Sequence, residues 1–97
     1  MKQYRIDSYV VDTLMLDLVE HDRQPSAFLV YIHLWCRGTG HKNPVAASHQ
    51  SISNATGLSK SAVQTSIRTL TRRQLIRIKR ASITAIPEYT VLRPWRR

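Results

Sequence analysis

Between residues 60 and 92 the apolar pattern changes its period once, and that change limits the fold more than any other feature of the chain. Val63, Ile67 and Leu70 recur at i, i+4 and i+7, the spacing of one helix face. From Ile76 the period drops to two. Ile76 and Ile78 alternate with Arg77 and Lys79, and Tyr89 and Val91 alternate with Thr90 and Leu92, so two short strands joined by a connection around 81–87 are expected. The 97 residues, 42% of them apolar, are enough for one hydrophobic core and too few for a second lobe with its own catalytic site.

Upstream of this switch the chain reads as helix. Asp7 or Ser8 can cap a helix over 9–20, in which Val10, Val11, Leu14, Met15 and Leu18 are the apolar residues and Asp12, Asp17 and Glu20 face away. Pro25 suits the first turn of a second helix, and the apolar residues from Phe28 to Trp35 cover nearly its whole circumference, so it should form the buried centre. Gly38 and Gly40 stop it. A loop then runs from Arg37 to Pro44, with Val45 and Ala46 able to form a short strand. Ser48 is placed to cap a short helix, His49 to Thr56, with Ile52 and Ala55 inward, and Gly57 ends it. Ser59 caps a longer helix from about Lys60 to Gln74. The expected class is mainly α with a small β-hairpin (α+β), in a single domain with an acidic helical segment over 1–22 and the remainder over 23–97.

The short helix, the three residues Gly57, Leu58 and Ser59, and the longer helix have the geometry of a helix-turn-helix. Each turn residue has a mechanical reason. Gly57 can take the positive φ that redirects the chain, Leu58 plugs the gap between the helices, and the Ser59 hydroxyl accepts a bond from a free amide at the new helix start. Projected at 100° per residue, Ser61, Thr65, Arg68 and Arg72 lie opposite Val63, Ile67 and Leu70, with Gln64 at the edge. Short hydroxyls near the helix start allow it to sink into a DNA major groove, where Gln64 reaches base edges and Arg68 and Arg72 reach guanine or the rim phosphates.

Charge placement agrees. The formal net charge is +9, and residues 1–22 hold Asp7, Asp12, Asp17, Glu20 and Asp22, whereas 23–97 hold thirteen basic residues and one acid, Glu88. A polyanionic partner is implied. The arginines at 68, 72 and 73 could instead form an ordinary solvated helix face, but neither Arg68 nor Arg72 has an acid at i±3 or i±4.

The stretch "ISNATGLSKSAVQTSIRTLTRRQLI" resembles the winged helix-turn-helix of GntR-type and MarR-type bacterial regulators and of DnaD-like replication proteins. The resemblance spans about residues 25–93, with motif-level detail only from Ile52 to Ile76. It implies a three-helix core preceded by an N-terminal helix and followed by a two-stranded wing. It further implies that Ser59, Lys60, Ser61, Gln64, Thr65 and Arg68 face DNA and that Arg77, Lys79 and Arg80 lead into the wing. The sequence departs from these families at Gln74, where they usually carry Gly before the first wing strand, and in a wing without glycine.

Sequence-specific binding of double-stranded DNA, by a transcription regulator or a replication or plasmid-maintenance factor, is the expected function. A module that docks an acidic protein or structured RNA is the alternative. The first helix, over 9–20, is either a homodimer or partner surface or simply packs across the second helix to complete the core. No enzyme, cofactor or metal is expected: there is no acid pair or phosphate-cradling glycine loop, Ser59 has no identifiable His partner, and Cys36 sits in the helix expected to be most buried. The four histidines lack ligand spacing. The lone Cys36 and the absence of a leader point to a reducing, cytoplasmic and nucleoid-associated location, and no apolar run nears the roughly 18 residues of a membrane span.

Overall fold

The computed structural model describes residues 2–96 and shows an α+β fold, about half helical, with a small three-stranded antiparallel sheet. Arg97 and Met1 lie outside the described residues. The N-terminal helix occupies 8–21, and two of its stretches, Val10–Leu14 and Asp17–His21, are wide turns closed by i→i+5 bonds such as Met15 N–H to the Val10 carbonyl. The width suits the sequence. Val10, Leu14 and Leu18 are spaced strictly by four, and mixing wide turns with 3.6-residue turns keeps them close to one line along the helix. All three are buried, while Val11, Met15, Leu16 and Val19 are exposed. No side chain caps this helix start; the Asp7 carbonyl receives Val10 N–H, and the Asp7 carboxylate is engaged elsewhere.

Helix α1, Pro25–Arg37, begins on its proline and buries Ala27, Phe28, Val30, Tyr31, Leu34 and Trp35, although Leu29 remains exposed. It ends at Gly38, where a Cβ would stand 2.5 Å from the Asn43 carbonyl oxygen, so the chain can fold back this tightly only on glycine. Strand β1, Val45–Ala46, follows and leads into α2, His49–Thr56, where the Ser48 hydroxyl accepts Ser51 N–H at 3.0 Å. Ile52 is buried, but Ala55 faces solvent rather than the core. Gly57 takes φ +81°, and the Ser53 hydroxyl fastens the turn by donating to the Leu58 carbonyl. Leu58 packs against the core between the helices.

Helix α3 runs over Lys60–Arg72, two residues shorter than expected, because the chain reverses at Gln74 with φ +58°. Leu75 N–H reaches the Leu70 carbonyl at 2.9 Å and Gln74 N–H the Thr71 carbonyl at 3.0 Å, a Schellman pair that also sets the side chains of Leu70 and Leu75 in the core. The glutamine therefore occupies the left-handed position for which glycine is ordinarily preferred.

Strand β2, Ile76–Lys79, pairs with β3, Glu88–Val91, and β3 pairs in turn with β1, giving the order β1-β3-β2. The sheet thus has three strands where two were expected: β1 supplies the third through Val45 opposite Tyr89 and Ala46 opposite Glu88. The short strand expected at Val45 and Ala46 is formed, and what the sequence did not show is its partner, since it joins the hairpin through β3. Ile76, Tyr89 and Val91 bury one sheet face against the helices, and one continuous core joins them to Val10, Leu14 and Leu18 of the N-terminal helix and to the inward residues of α1 and α3. The C-terminal end closes over the N-terminal helix: the Trp95 ring stacks on Tyr9 with centroids 4.5 Å apart, and its Nε1 donates to Asp7 at 3.3 Å. Among the described residues no helix is long and apolar enough to cross a membrane.

Candidate nucleic-acid interface

The ten residues singled out from the sequence, Ser59, Lys60, Ser61, Gln64, Thr65, Arg68, Arg72, Arg77, Lys79 and Arg80, are all exposed. Seven of them share one face of the α3 region. Val63, Ser66, Ile67, Thr69 and Leu70 turn inward, which leaves a solvent arc running from Lys60 through Gln64, Arg68, Ser61 and Arg72 to Thr65. Gln64 lies within this arc rather than at its edge. From Lys60 to Arg72 the arc extends about 18 Å at 1.5 Å per residue. Thr71 belongs to it as well and is the position the sequence reading passed over, although the same 100° projection places it there; its hydroxyl is committed to the Ile67 carbonyl at 2.8 Å.

At the helix start the Ser59 hydroxyl accepts Ala62 N–H at 3.1 Å and lies 3.2 Å from the Ser61 hydroxyl. The cap leaves other first-turn amides facing outward beside Lys60, an arrangement suited to an anionic oxygen. Inward, Ser66 satisfies its own burial by donating to the Ala62 carbonyl at 2.7 Å.

Arg73 parts company with its neighbours. Its guanidinium reaches back across 51 residues to Asp22, with Nη1 at 2.8 and 2.7 Å from the two carboxylate oxygens, while Nη2 stands 3.9 Å from Asp17. Among the described residues Lys60, Arg68 and Arg72 have no carboxylate within ion-pair distance. The helical projection already turns Arg73 away from the Arg68 and Arg72 face, towards the buried Ser66 and Thr69, but the carboxylate it meets there is brought close only by the packing of the N-terminal helix.

On the sheet, Arg77 stands across from Thr90 and Lys79 across from Glu88, on the face opposite the buried Ile76, Tyr89 and Val91. Arg80 follows directly where the chain leaves β2 and bears electrostatically on Tyr89: burial pushes the Tyr89 hydroxyl up from the usual tyrosine range, and Arg80 opposes this. That hydroxyl is buried without a hydrogen-bond partner. At the tip of the hairpin connection Ile83 is 92% exposed, between Ser82 and Thr84. Among the described residues no group of three or more His, Cys, Asp or Glu side chains is placed to hold a metal ion.

No protein-family model, curated protein or solved structure gave a significant match to this chain.

Proposed function

We propose that the chain is a winged helix-turn-helix protein that binds double-stranded DNA in a sequence-dependent way, with α3 in the major groove and the β2–β3 hairpin as the wing. The observation that carries this reading is the α3 arc itself: cations without carboxylate partners, a carboxamide and short hydroxyls on one exposed helix face. An unpaired cationic helix face matches a phosphate-lined groove, and Gln64 with Ser61 supplies donors and acceptors at the depth where base edges lie. Arg77, Lys79 and Arg80 extend the positive surface along the hairpin. The role in a cell is that of a cytoplasmic transcription regulator or a replication or plasmid-maintenance factor without a cofactor, acting by binding rather than catalysis.

The same reading includes a homodimer through the N-terminal helix. That helix is apolar on two sides: Val10, Leu14 and Leu18 face the core, whereas Val11, Met15 and Val19 recur at spacings of four on the outside beside Leu16, itself 58% exposed. Its carboxylates would be repelled by DNA, which keeps this face away from the duplex and leaves its outer apolar residues to meet their own copies across a twofold axis. Two copies would present their α3 helices to half-sites about 34 Å apart.

The test is selection of bound duplexes from a randomised pool at two salt concentrations, with single-stranded RNA as competitor. An enriched motif is expected, as an inverted repeat with half-sites one turn apart for the dimer; if about five phosphates are contacted by each chain, log K falls against log salt with a slope near −4.5 for one chain and about −9 for the dimer. Retention without any motif would sink sequence reading. Full displacement by RNA, or no retention at moderate salt, would replace the DNA reading with an RNA-binding or protein-docking module.

A further inference from the structure

A second positive region lies away from α3, around a cavity of about 510 Å³. Its walls are the N-terminal stretch before the first helix, the end of α1 with the loop after it, and Arg93 just beyond β3. Five lining side chains are cationic, Lys2, Arg5, Arg37, Lys42 and Arg93, against one acid, Asp7. That acid is already engaged, because its Oδ2 receives Arg93 at 3.2 Å and the Trp95 indole N–H at 3.3 Å. Among the described residues Lys2, Arg5, Arg37 and Lys42 have no carboxylate within ion-pair distance. Four unneutralised cations around one concavity repel one another, and a multiply charged anion entering it would relieve that repulsion and gain charge-assisted hydrogen bonds.

The walls are built as well as charged. Trp35 is almost fully buried and forms the base, held by its Nε1 bond to the Arg5 carbonyl at 2.7 Å. Gly40, at φ +69°, lies close over the same ring. Arg93 is fixed from two sides, by Asp7 and by a 3.0 Å contact from Nη2 to His41 Nε2. At the mouth Tyr4 is half exposed, with the Lys2 ammonium 5.4 Å from its ring centroid. Burial pushes the Cys36 thiol up from its ordinary range, so this wall residue adds no competing negative charge. The concavity is of ordinary small-ligand size. It also sits at the opposite end of β3 from the hairpin tip, since Arg93 follows Val91 whereas the tip connects through Glu88.

We propose that this cavity is a binding site for a phosphate-bearing small molecule with at least two negative charges, up to the size of a nucleotide, held by Lys2, Arg5, Arg37 and Lys42 beside Arg93. The site is independent of the DNA reading. If both hold, it gives a small regulator a place for an effector that α3 does not supply.

The test is titration of the full chain with inorganic pyrophosphate, with ADP and with uncharged adenosine, following tryptophan fluorescence and the thermal midpoint at moderate salt. Pyrophosphate and ADP are expected to saturate and to raise the midpoint, while adenosine does neither; tighter binding of ADP than of pyrophosphate would assign the nucleotide rather than the bare phosphate. Arg37 and Lys42 are exposed, so Arg37→Ala and Lys42→Ala leave the core intact, and each should weaken pyrophosphate about tenfold. Arg68→Ala with Arg72→Ala should leave it unchanged. No saturation by about 5 mM pyrophosphate, or equal weakening in both pairs of variants, would overturn the proposal, the first because no site exists and the second because the attraction is only that of net charge. Loss of duplex binding in the Arg37 and Lys42 variants without any pyrophosphate saturation would likewise overturn it, by making these cations part of a DNA surface.

Discussion

The exposed face of α3 and the N-terminal segment treat charge in opposite ways. Along α3, Lys60, Arg68 and Arg72 point to solvent with no carboxylate within ion-pair distance, whereas Asp7 and Asp22 of the N-terminal segment are turned inward as fasteners for Arg93 and Arg73, with the half-exposed Asp17 3.9 Å from Arg73. The contrast is sharpest between neighbours. Arg72 and Arg73 follow each other in sequence, yet one is free and the other is held by two oxygens of a carboxylate only 10% exposed. The acidic segment thus removes particular arginines from the positive surface and ties both ends of the chain to the core. What remains unpaired is concentrated where a polyanion could use it.

The largest expected effect comes from exchanging these roles. Arg68→Ala with Arg72→Ala should lower duplex affinity about a hundredfold at moderate salt and reduce the salt slope by about two, with an unchanged urea midpoint. Arg73→Ala should do the reverse, leaving duplex affinity nearly unchanged and lowering stability. If Arg73→Ala weakens DNA binding as much as Arg72→Ala in a folded protein, the division between the two surfaces fails. Removing the other partner, Asp22→Ala, should cost about 2 kcal/mol by urea denaturation, less than for a fully buried pair because a third of Arg73 is in water.

Two buried tyrosines sharpen the account of how the ends are held. The Tyr31 hydroxyl donates to the Leu92 carbonyl at 2.9 Å, just before Arg93, whereas the Tyr89 hydroxyl has no partner. Tyr31→Phe should therefore cost about 1–2 kcal/mol, and Tyr89→Phe should be neutral or stabilising, both measured by urea denaturation. At the end of α3, Gln74→Gly relieves a left-handed residue and should raise stability by about 1 kcal/mol, less the extra freedom glycine gives the unfolded chain. The thermal midpoint would read this directly.

The smallest effect concerns pH. Burial holds His33 below the usual histidine range, and Arg37, one turn further along α1, pushes the same way. The unfolded ring takes up a proton below about 6.5 while the folded one resists, so the unfolded state binds more protons and stability falls as pH drops through that value. The urea midpoint of the wild type should decline between about pH 7 and pH 5.5, and His33→Gln should flatten that decline.

Much of the fold is legible in the sequence because it depends on neighbours a few residues apart. Pro25, Ser48, Gly57 and Ser59 act within one turn, and the alternation of Ile76 with Arg77 declares a strand whatever surrounds it. Apart from the early end of α3, which the local turn at Gln74 sets, the departures need distant partners. Ala55 reads as inward from its spacing alone, but nothing packs over it. Val45 and Ala46 form the short strand expected of them, but that it joins the hairpin as a third strand depends on β3 lying alongside. Val11 and Met15 share the apolar character of Val10 and Leu14, and only the direction from which α1 approaches decides which pair is buried. For the α3 face, helical projection was sufficient to find Ser61, Thr65, Arg68 and Arg72, since exposure on an amphipathic helix is set by its own buried stripe. The cationic cavity drew on residues 2–5, 37–42 and 93, which no spacing rule connects.

By itself the sequence determined the local conformations and the amphipathic faces: where helices start and stop, where the period switches from 3.6 to 2, and which side of α3 is polar. Tertiary structure alone decided which charges are free. Coulomb pairing depends on distance in space, and Asp22 is 51 residues from Arg73 along the chain but 2.7 Å from it once the N-terminal helix packs against the core.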